Sequence, residues 1–365
     1  MRALRPALLA CLLSGCHLLL PLGPPSPDGP GADADGGRSD RMVGGDLGGC
    51  PWTVRHRVTF DGCGAGCDLV DVPVAVVLDG SLPNLPADGR DLRFIDAAGT
   101  ALPHQIETWD QTGRCAVWVR LPRVTAQGGF IWLYLGNPAA GPGLDPTDVW
   151  HDGFQAVWHM DGLQDSTAGA HHLVAQTTMP TPGLVAGQAG AALVLDGKQY
   201  MTATLQVPAE YTLEARFWLD RYTTEPHLVE PTHVQFMVDD INHRLEAGTG
   251  DEFDVAETQC TTTVELKRWY HAAFVQGAGG WSLHLDGRQE AHGPEQTSPD
   301  PEIFVGDIHT TPKYGDSCKL DGLLDEVRIS GVARPAAWIA LQPRAMSGEL
   351  ATVGPGEPVP AGVCP

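Results

Sequence analysis

Residues Trp269 to Gly287, WYHAAFVQGAGGWSLHLDG, set the strongest limit on what this chain can fold into. Tyr270, Ala272 and Phe274 alternate with His271, Ala273 and Val275. Past the break at Gly277 to Gly280, Trp281, Leu283 and Leu285 alternate with Ser282, His284 and Asp286. Alternation with period two on both sides of a glycine-rich turn predicts a β-hairpin. One face of each strand is apolar, so the hairpin must cover a core.

The remaining chain repeats the pattern. It has 365 residues, enough for two domains. Gly 44 and Pro 30 are high counts for a helical protein, and no long segment carries a 3.6-residue apolar period. Short alternating runs separated by Gly, Pro, Asn and Asp predict an all-β protein. A hydrophobic content of 42% supports packed cores. The net charge of −22 repels phosphate backbones, so nucleic acid is excluded as an expected partner. The same charge serves solubility, and its carboxylates are also the ligands that calcium prefers.

The N-terminus reads as an export signal over residues 1–16. Two arginines precede the apolar stretch Pro6 to Gly15, which is too short to span a membrane. The stretch ends in Leu13-Ser14-Gly15-Cys16, which resembles a bacterial lipobox. That resemblance implies cleavage before Cys16 and its acylation, hence a membrane anchor at the bacterial cell envelope. By resemblance to enteric bacteria, His17 in place of Asp after the cysteine points to the outer membrane. Residues 17–49 contain GPPSPDGPGADADGG and read as a disordered tether. Outside the cytoplasm cysteines pair. Cys11 leaves with the signal and Cys16 takes lipid. Cys63 and Cys67 flank a turn and can close a hairpin, Cys260 and Cys318 can bridge a strand end to a loop, and Cys50 and Cys364 can tie the ends together. Cys115 is then left over.

Residues 50–145 read as a first β-sandwich. VRHRVTF (54–60), VPVAVVL (72–78), DLRFID (91–96), CAVWVRL (115–121) and FIWLYLG (130–136) are its strand candidates. DLRFIDAAGTALPHQIETWD, AVWVRLP and LYLGNPAA, in that order, resemble a bacterial domain of unknown function that commonly precedes a laminin-G-like domain in exported proteins. His104, Glu107 and Asp110 combine an imidazole and two carboxylates suited to acid–base work, or they are turn formers on a solvated face. Trp109, Trp118, Trp132 and Tyr134 supply either a sugar-stacking platform or core.

Residues 150–336 read as a second sandwich, a jelly roll of many antiparallel strands. In YTLEARFWLD (211–220), Leu213, Ala215, Phe217 and Leu219 share one face, which puts Glu214 and Arg216 outside. DSTAGAHH, GQAGAALVLDG, YTLEARFWL, WYHAAFV, WSLHLDG and LDGLLDEVRIS followed by GVARPAAWIA resemble the laminin-G-like, concanavalin A-like family. The resemblance implies one structural calcium ion near a sheet edge, carried here by Asp165 and Asp325 with backbone carbonyls completing the site. The alternative is that Asp165 caps a turn and Asp325 pairs with Arg328 or a backbone amide. Residues 337–365 read as a short helical turn and a loose tail, unless Cys364 ties it down.

Glu252-Phe253-Asp254-Val255-Ala256-Glu257 resembles the E-x-D-x-x-E strand of family-sixteen glycoside hydrolases, which share the jelly-roll fold. The resemblance implies Glu252 as nucleophile, Asp254 as its orienting group and Glu257 as acid–base residue. A retaining hydrolase needs its carboxyls about 5 Å apart, and a bulge would have to re-aim Glu257. The function expected of the whole chain is recognition of a glycan or a cell-surface protein at the envelope. Glycoside hydrolysis and a structural role in an envelope assembly are the alternatives.

Overall fold

The structure, a computed structural model, describes residues 50–365 apart from 81, 83–84, 142, 176–181, 232–233, 250–257, 295–300 and 308–317. The signal stretch with Cys16, the tether, and Glu252, Asp254 and Glu257 lie outside the described residues. Among the described residues no helix is long and apolar enough to cross a membrane.

The first sandwich begins with β1 (Val54–Phe60), β2 (Asp68–Asp79), β3 (Arg93–Ile95) and β4 (Ala101–Leu102). It continues with β5 (His104–Thr108), β6 (Arg114–Thr125) and β7 (Gly129–Leu135). The jelly roll starts with β8 (Phe154–Trp158), β9 (Val174–Ala175), β10 (Gly183–Ala186), β11 (Ala191–Asp196) and β12 (Met201–Thr204). Then come β13 (Tyr211–Leu219), β14 (Val229–Pro231), β15 (Val234–Val238), β16 (Arg244–Thr249) and β17 (Thr258–Thr263). It ends with β18 (Tyr270–Gly277), β19 (Gly280–Leu285), β20 (Arg288–Gly293), β21 (Glu302–Val305) and β22 (Asp321–Ser330). The helix α1 (Ala336–Ser347) and the strand β23 (Ala351–Pro358) follow.

Among the described residues the strand candidates of both halves form where alternation placed them, and the described chain is all-β apart from short helical elements. In the first sandwich the sheet β23-β1-β7-β3-β4 faces the sheet β2-β6-β5. In the jelly roll the sheet β10-β11-β22-β13-β18-β19-β20, with β8 also pairing β22, faces β14-β21-β12-β9 and β15-β16-β17. The predicted hairpin is β18–β19, with Gly277 opposite Gly280. Its Tyr270, Ala272, Phe274, Trp281, Leu283 and Leu285 all enter the jelly-roll core.

The opposite face of that sheet departs from expectation. Glu214 and Arg216 are buried, not exposed, and so are His271 and Ala273. The reason is that this face is covered. Ala273 and Val275 of β18 join Trp338, Ile339 and Met346 of α1 in one apolar cluster with Val74, Val76 and Val117 of the first sandwich. Both sandwiches therefore contribute to one shared apolar cluster, beside the separate interior core of the jelly roll, and strand β6, buried along Cys115 to Val119, has protein on both faces.

The C-terminus is the second departure. The expected loose tail is instead a helix of 12 residues and a strand of 8. Gly348 ends α1 in the left-handed conformation, φ 77°, as the C-terminal cap requires. The chain then returns as β23 to pair with β1, satisfying backbone groups at a sheet edge. The disulfide Cys50–Cys364 fastens this return, and Cys63–Cys67 closes its loop as expected.

The expected Cys260–Cys318 bridge is absent: both are buried free thiols, as is Cys115. Cys260 on β17 turns into the apolar core of the jelly roll. Cys318 stands outside that core, beside Glu225 and His227. The two side chains belong to different environments, which their positions in the sequence do not reveal.

A shared core predicts shared unfolding. Calorimetry on the unit Gly49–Pro365 should give one transition, and Trp338→Ala should cost about 3–5 kcal/mol while leaving the transition single. Two resolved transitions would contradict the shared core.

Candidate functional site

The covered face holds the densest group of ionisable side chains. Glu107 comes from β5, His159 follows β8, and Glu326 comes from β22. One ligand-type atom from each lies within 4.8 Å of the others. Two irregularities aim the carboxylates there. The pairing of β5 with β6 slips between Ile106 and Thr108, which makes Glu107 the extra residue of a β-bulge. The pairing of β22 with β13 slips between Arg328 and Asp325, and Glu326 has φ 51°. At this point β11 has left the edge of β22 after Leu324 and β8 takes it up at Val327. Through the bulge, Asp325 and Glu326 are both taken up by this network, where simple alternation would send neighbours to opposite faces.

Each group meets a partner. Glu107 Oε2 accepts from Trp118 Nε1 at 2.8 Å and its Oε1 from the Ala191 amide at 3.2 Å. His159 Nδ1 lies 2.6 Å from Glu326 Oε1. Arg328 donates through Nε to Glu326 Oε2 at 3.0 Å, and its guanidinium lies over the rings of Trp118 and Trp150. His159 stacks on Trp118 with centroids 5.6 Å apart. Asp325 Oδ2 accepts the Gln188 amide at 2.7 Å, and Arg216 holds the Gln188 side chain and the Pro343 carbonyl. Close packing here requires glycine. A Cβ on Gly190 would stand 1.7 Å from Glu107 Oε1, and one on Gly187 would stand 2.6 Å from Asp325 Oδ2.

The electrostatics follow from burial and crowding. Burial, then Glu326 and Asp325, holds Glu107 well above the usual carboxylate range. Burial, then Glu326, pushes Asp325 up to about 8. Burial opposes ionisation of Glu326 as well, but His159 and Arg328 prevail and hold it below its ordinary value. One ionised glutamate, held by His159 and Arg328, thus sits beside two carboxyls that favour the proton.

The chemistry of this donor set is acid–base or divalent-metal chemistry. Its geometry is that of a closed network. Indole, amide and guanidinium hydrogens point at the carboxylate oxygens a cation would need.

The sequence-predicted residues are distributed differently. Glu107 is in the cluster, but His104 and Asp110 are not. His104 is half-buried against Phe94, and burial pushes it down to about 4. Asp110 caps a turn by accepting the Thr112 amide and hydroxyl. The aromatic platform does not form, because Trp118 and Tyr134 are buried whereas Arg55 covers the ring of Trp132. Asp165 is a loop closer. Its oxygens accept from the amides of Val157, Thr167 and His171 and from the Thr167 hydroxyl. With every oxygen engaged by N–H or O–H donors, it does not fit calcium ligation. Asp325 keeps one oxygen without a donor, but among the described residues neither aspartate belongs to a cluster of three ligand groups. The sequence assigns neither His159 nor Glu326, and it offers Arg328 as a partner of Asp325, whereas Arg328 pairs with Glu326 and Asp325 accepts the Gln188 backbone amide. The adjacent Asp-Glu pair inside an alternating strand was the one signal that a bulge lay there.

Two family models match the chain. A domain of unknown function (DUF2341) matches residues 88–170, and the concanavalin A-like lectin/glucanases superfamily matches residues 195–340. The first match runs past the first sandwich through β8 and His159, so it holds two of the three cluster residues. No curated protein matches. Among solved structures, domain 4 of AbnA, a GH43 extracellular arabinanase from Geobacillus stearothermophilus in complex with arabinotriose, is 17% identical. The match covers 51% of this chain and 96% of that one, with a TM-score of 0.44. The binding domain of Paraclostridial Mosquitocidal Protein 1 is 12% identical over 53% of this chain and 51% of that one, with a TM-score of 0.42. Botulinum neurotoxin type C, whose cell entry is described as dependent on two ganglioside molecules, is 7% identical over the same shares, also with a TM-score of 0.42. The chain spans about half the length of these toxin structures.

Two outcomes test the cluster. Folding favours the protonated form of Asp325, so that contribution is present below the ordinary carboxylate pKa and is lost as the pH rises toward 8. Asp325→Asn should therefore melt above the parent at about pH 9, with the gain narrowing toward about pH 4. A variant that melts lower at high pH would contradict the assignment. Gly190→Ala should cost about 1–3 kcal/mol in urea unfolding through overpacking against Glu107. The chain joins a DUF2341 domain of unknown function to a domain of the concanavalin A-like lectin/glucanases superfamily.

Proposed function

We propose that this chain is an exported, lipid-anchored recognition protein that binds a glycan or a protein ligand at the bacterial cell envelope. The concanavalin A-like match supports a binding role. The observation that carries the reading is the state of the acid–histidine cluster. Glu107, His159 and Glu326 are described groups suited to acid–base chemistry, and they are taken up by the fold: Glu326 by His159 and Arg328, and Glu107 by Trp118 and, across the joint, by the Ala191 amide. A fold that uses its acid–base groups as a joint is built to present a surface. The Leu13-Ser14-Gly15-Cys16 stretch and the tether that follows it would hold that surface at the membrane.

The test is retention of the Gly49–Pro365 unit on a panel of insoluble polysaccharides, run in calcium and in chelator. Saturable retention without released sugar, unchanged by Glu252→Gln, is the expected result. Released sugar that disappears in Glu252→Gln would replace recognition by hydrolysis. Absence of retention on every polysaccharide would remove the glycan ligand and leave a protein one.

A further inference from the structure

A second ligand cluster lies in the jelly roll, outside the junction. Glu225 and His227 precede β14, and Cys318 precedes β22. A carboxylate oxygen, an imidazole nitrogen and a thiol sulfur from these three lie within 4.8 Å of one another. His227 and Cys318 are fully buried, and Glu225 is half-buried.

The backbone fixes this arrangement. The His227 amide donates to the Cys318 carbonyl at 3.3 Å, and His227 forms a β-bridge with Met237. Leu228 and Gly306 continue the pairing, with the Gly306 amide donating to the Leu228 carbonyl at 3.0 Å and the Leu320 amide to the Gly306 carbonyl at 3.0 Å. Two segments remote in sequence are thus clamped side by side. His227 Nδ1 is bonded to the carboxylate of Glu230, and Glu230 Oε1 in turn accepts the Phe236 amide at 2.8 Å. That carboxylate fixes the ring and its tautomer. His227 Nε2 is buried, and the ring also interacts with the Cys318 side chain.

We infer that Glu225, His227 and Cys318 form a binding site for a thiophilic divalent cation of the zinc class. The donor set selects the ion. Calcium and magnesium take oxygen ligands, whereas one thiolate, one imidazole and one carboxylate suit zinc or cobalt(II). The contact between the His227 ring and the Cys318 sulfur is the one that a shared ion would replace. The Glu230–His227 pair is the outer-shell carboxylate that orients a metal-bound histidine and raises its basicity. Three protein ligands leave a fourth tetrahedral position for water or a ligand atom. On binding, Cys318 Sγ and His227 Nε2 release the protons they carry to solvent, the thiolate sulfur and the imidazole nitrogen each donate a lone pair, and Glu225 binds as carboxylate. No redox change occurs.

The test is titration of the metal-stripped full chain, under reducing conditions, with cobalt(II) followed by optical absorption. The expected result is one equivalent bound, with tetrahedral visible bands and a sulfur-to-cobalt charge-transfer band, all displaced by zinc. Cys318→Ser should abolish the charge-transfer band, while Cys260→Ser should keep it. Glu225→Gln, a change at a half-buried side chain, should keep the band and weaken binding about 10–100-fold. Circular dichroism of each variant reports whether it is folded, and Glu225→Gln remains decisive if Cys318→Ser is not. Absence of a charge-transfer band in the parent chain, its persistence in folded Cys318→Ser, or full-affinity binding by Glu225→Gln would each overturn the assignment.

Discussion

The architecture depends on making a charged sheet face safe to bury. Glu214, Arg216, His271, Asp325, Glu326 and Arg328 all lie buried in this protein, and most of them stand on the outer face of the jelly roll. Removing such groups from water without partners is prohibitive, and breaking one buried pair costs about 3–5 kcal/mol. Part of the partnering is internal, through Glu214 with His271 and Glu326 with Arg328. The first sandwich and α1 add to it: Pro343 accepts from Arg216, and the Trp118 and Trp150 rings cover the Arg328 guanidinium. The junction is therefore specific as well as adhesive, because a shifted docking would strand those charges.

This requirement explains the path of the chain. A helix containing Pro343 would be weak alone, since proline removes an intrahelical bond. Here the Pro343 carbonyl receives Arg216, and Trp338, Ile339 and Met346 fill the space between the sheets. Once α1 lies there, its end brings the chain back to the first sandwich. Strand β23 then closes the β1 edge, and the Cys50–Cys364 bond holds the closure. The C-terminal segment belongs to the first sandwich in space although it is last in sequence.

Alternation along single strands was legible, and with it most strands, both sandwiches and the inward set Tyr270, Ala272 and Phe274. The status of the outward set was not. Glu214 and Arg216 carry the same letters whether the face is wet or covered, and only the second body decides which. The same limit applies to the cysteines. Cys63 and Cys67 are confined by a short loop, so their pairing could be read directly. Cys260 and Cys318 depend on which way two distant strands turn their side chains. Within the candidate site, Glu107 could be named but not its partners, because two bulges place them, and a bulge is set by pairing between strands.

The two polar clusters differ in one respect that bears on what each can do. At the junction, opposed bulges bring carboxylates together and the surrounding indole, amide and guanidinium groups answer them, so the charges are consumed by the fold. At Glu225, His227 and Cys318 the backbone pairing is just as tight, and Glu230 orients the ring, yet what stands beside the imidazole is a thiol and a second carboxylate. His271 shows that an unpartnered ring nitrogen is not by itself a site: Glu214 holds its Nε2, and its Nδ1 is buried without a partner. What sets His227 apart is the thiol of Cys318 and the carboxylate of Glu225 gathered beside it. A cation shared by the three would use that arrangement. It would also place a charge-bearing, coordinatively open centre on the jelly roll, separate from the joint that holds the two sandwiches together.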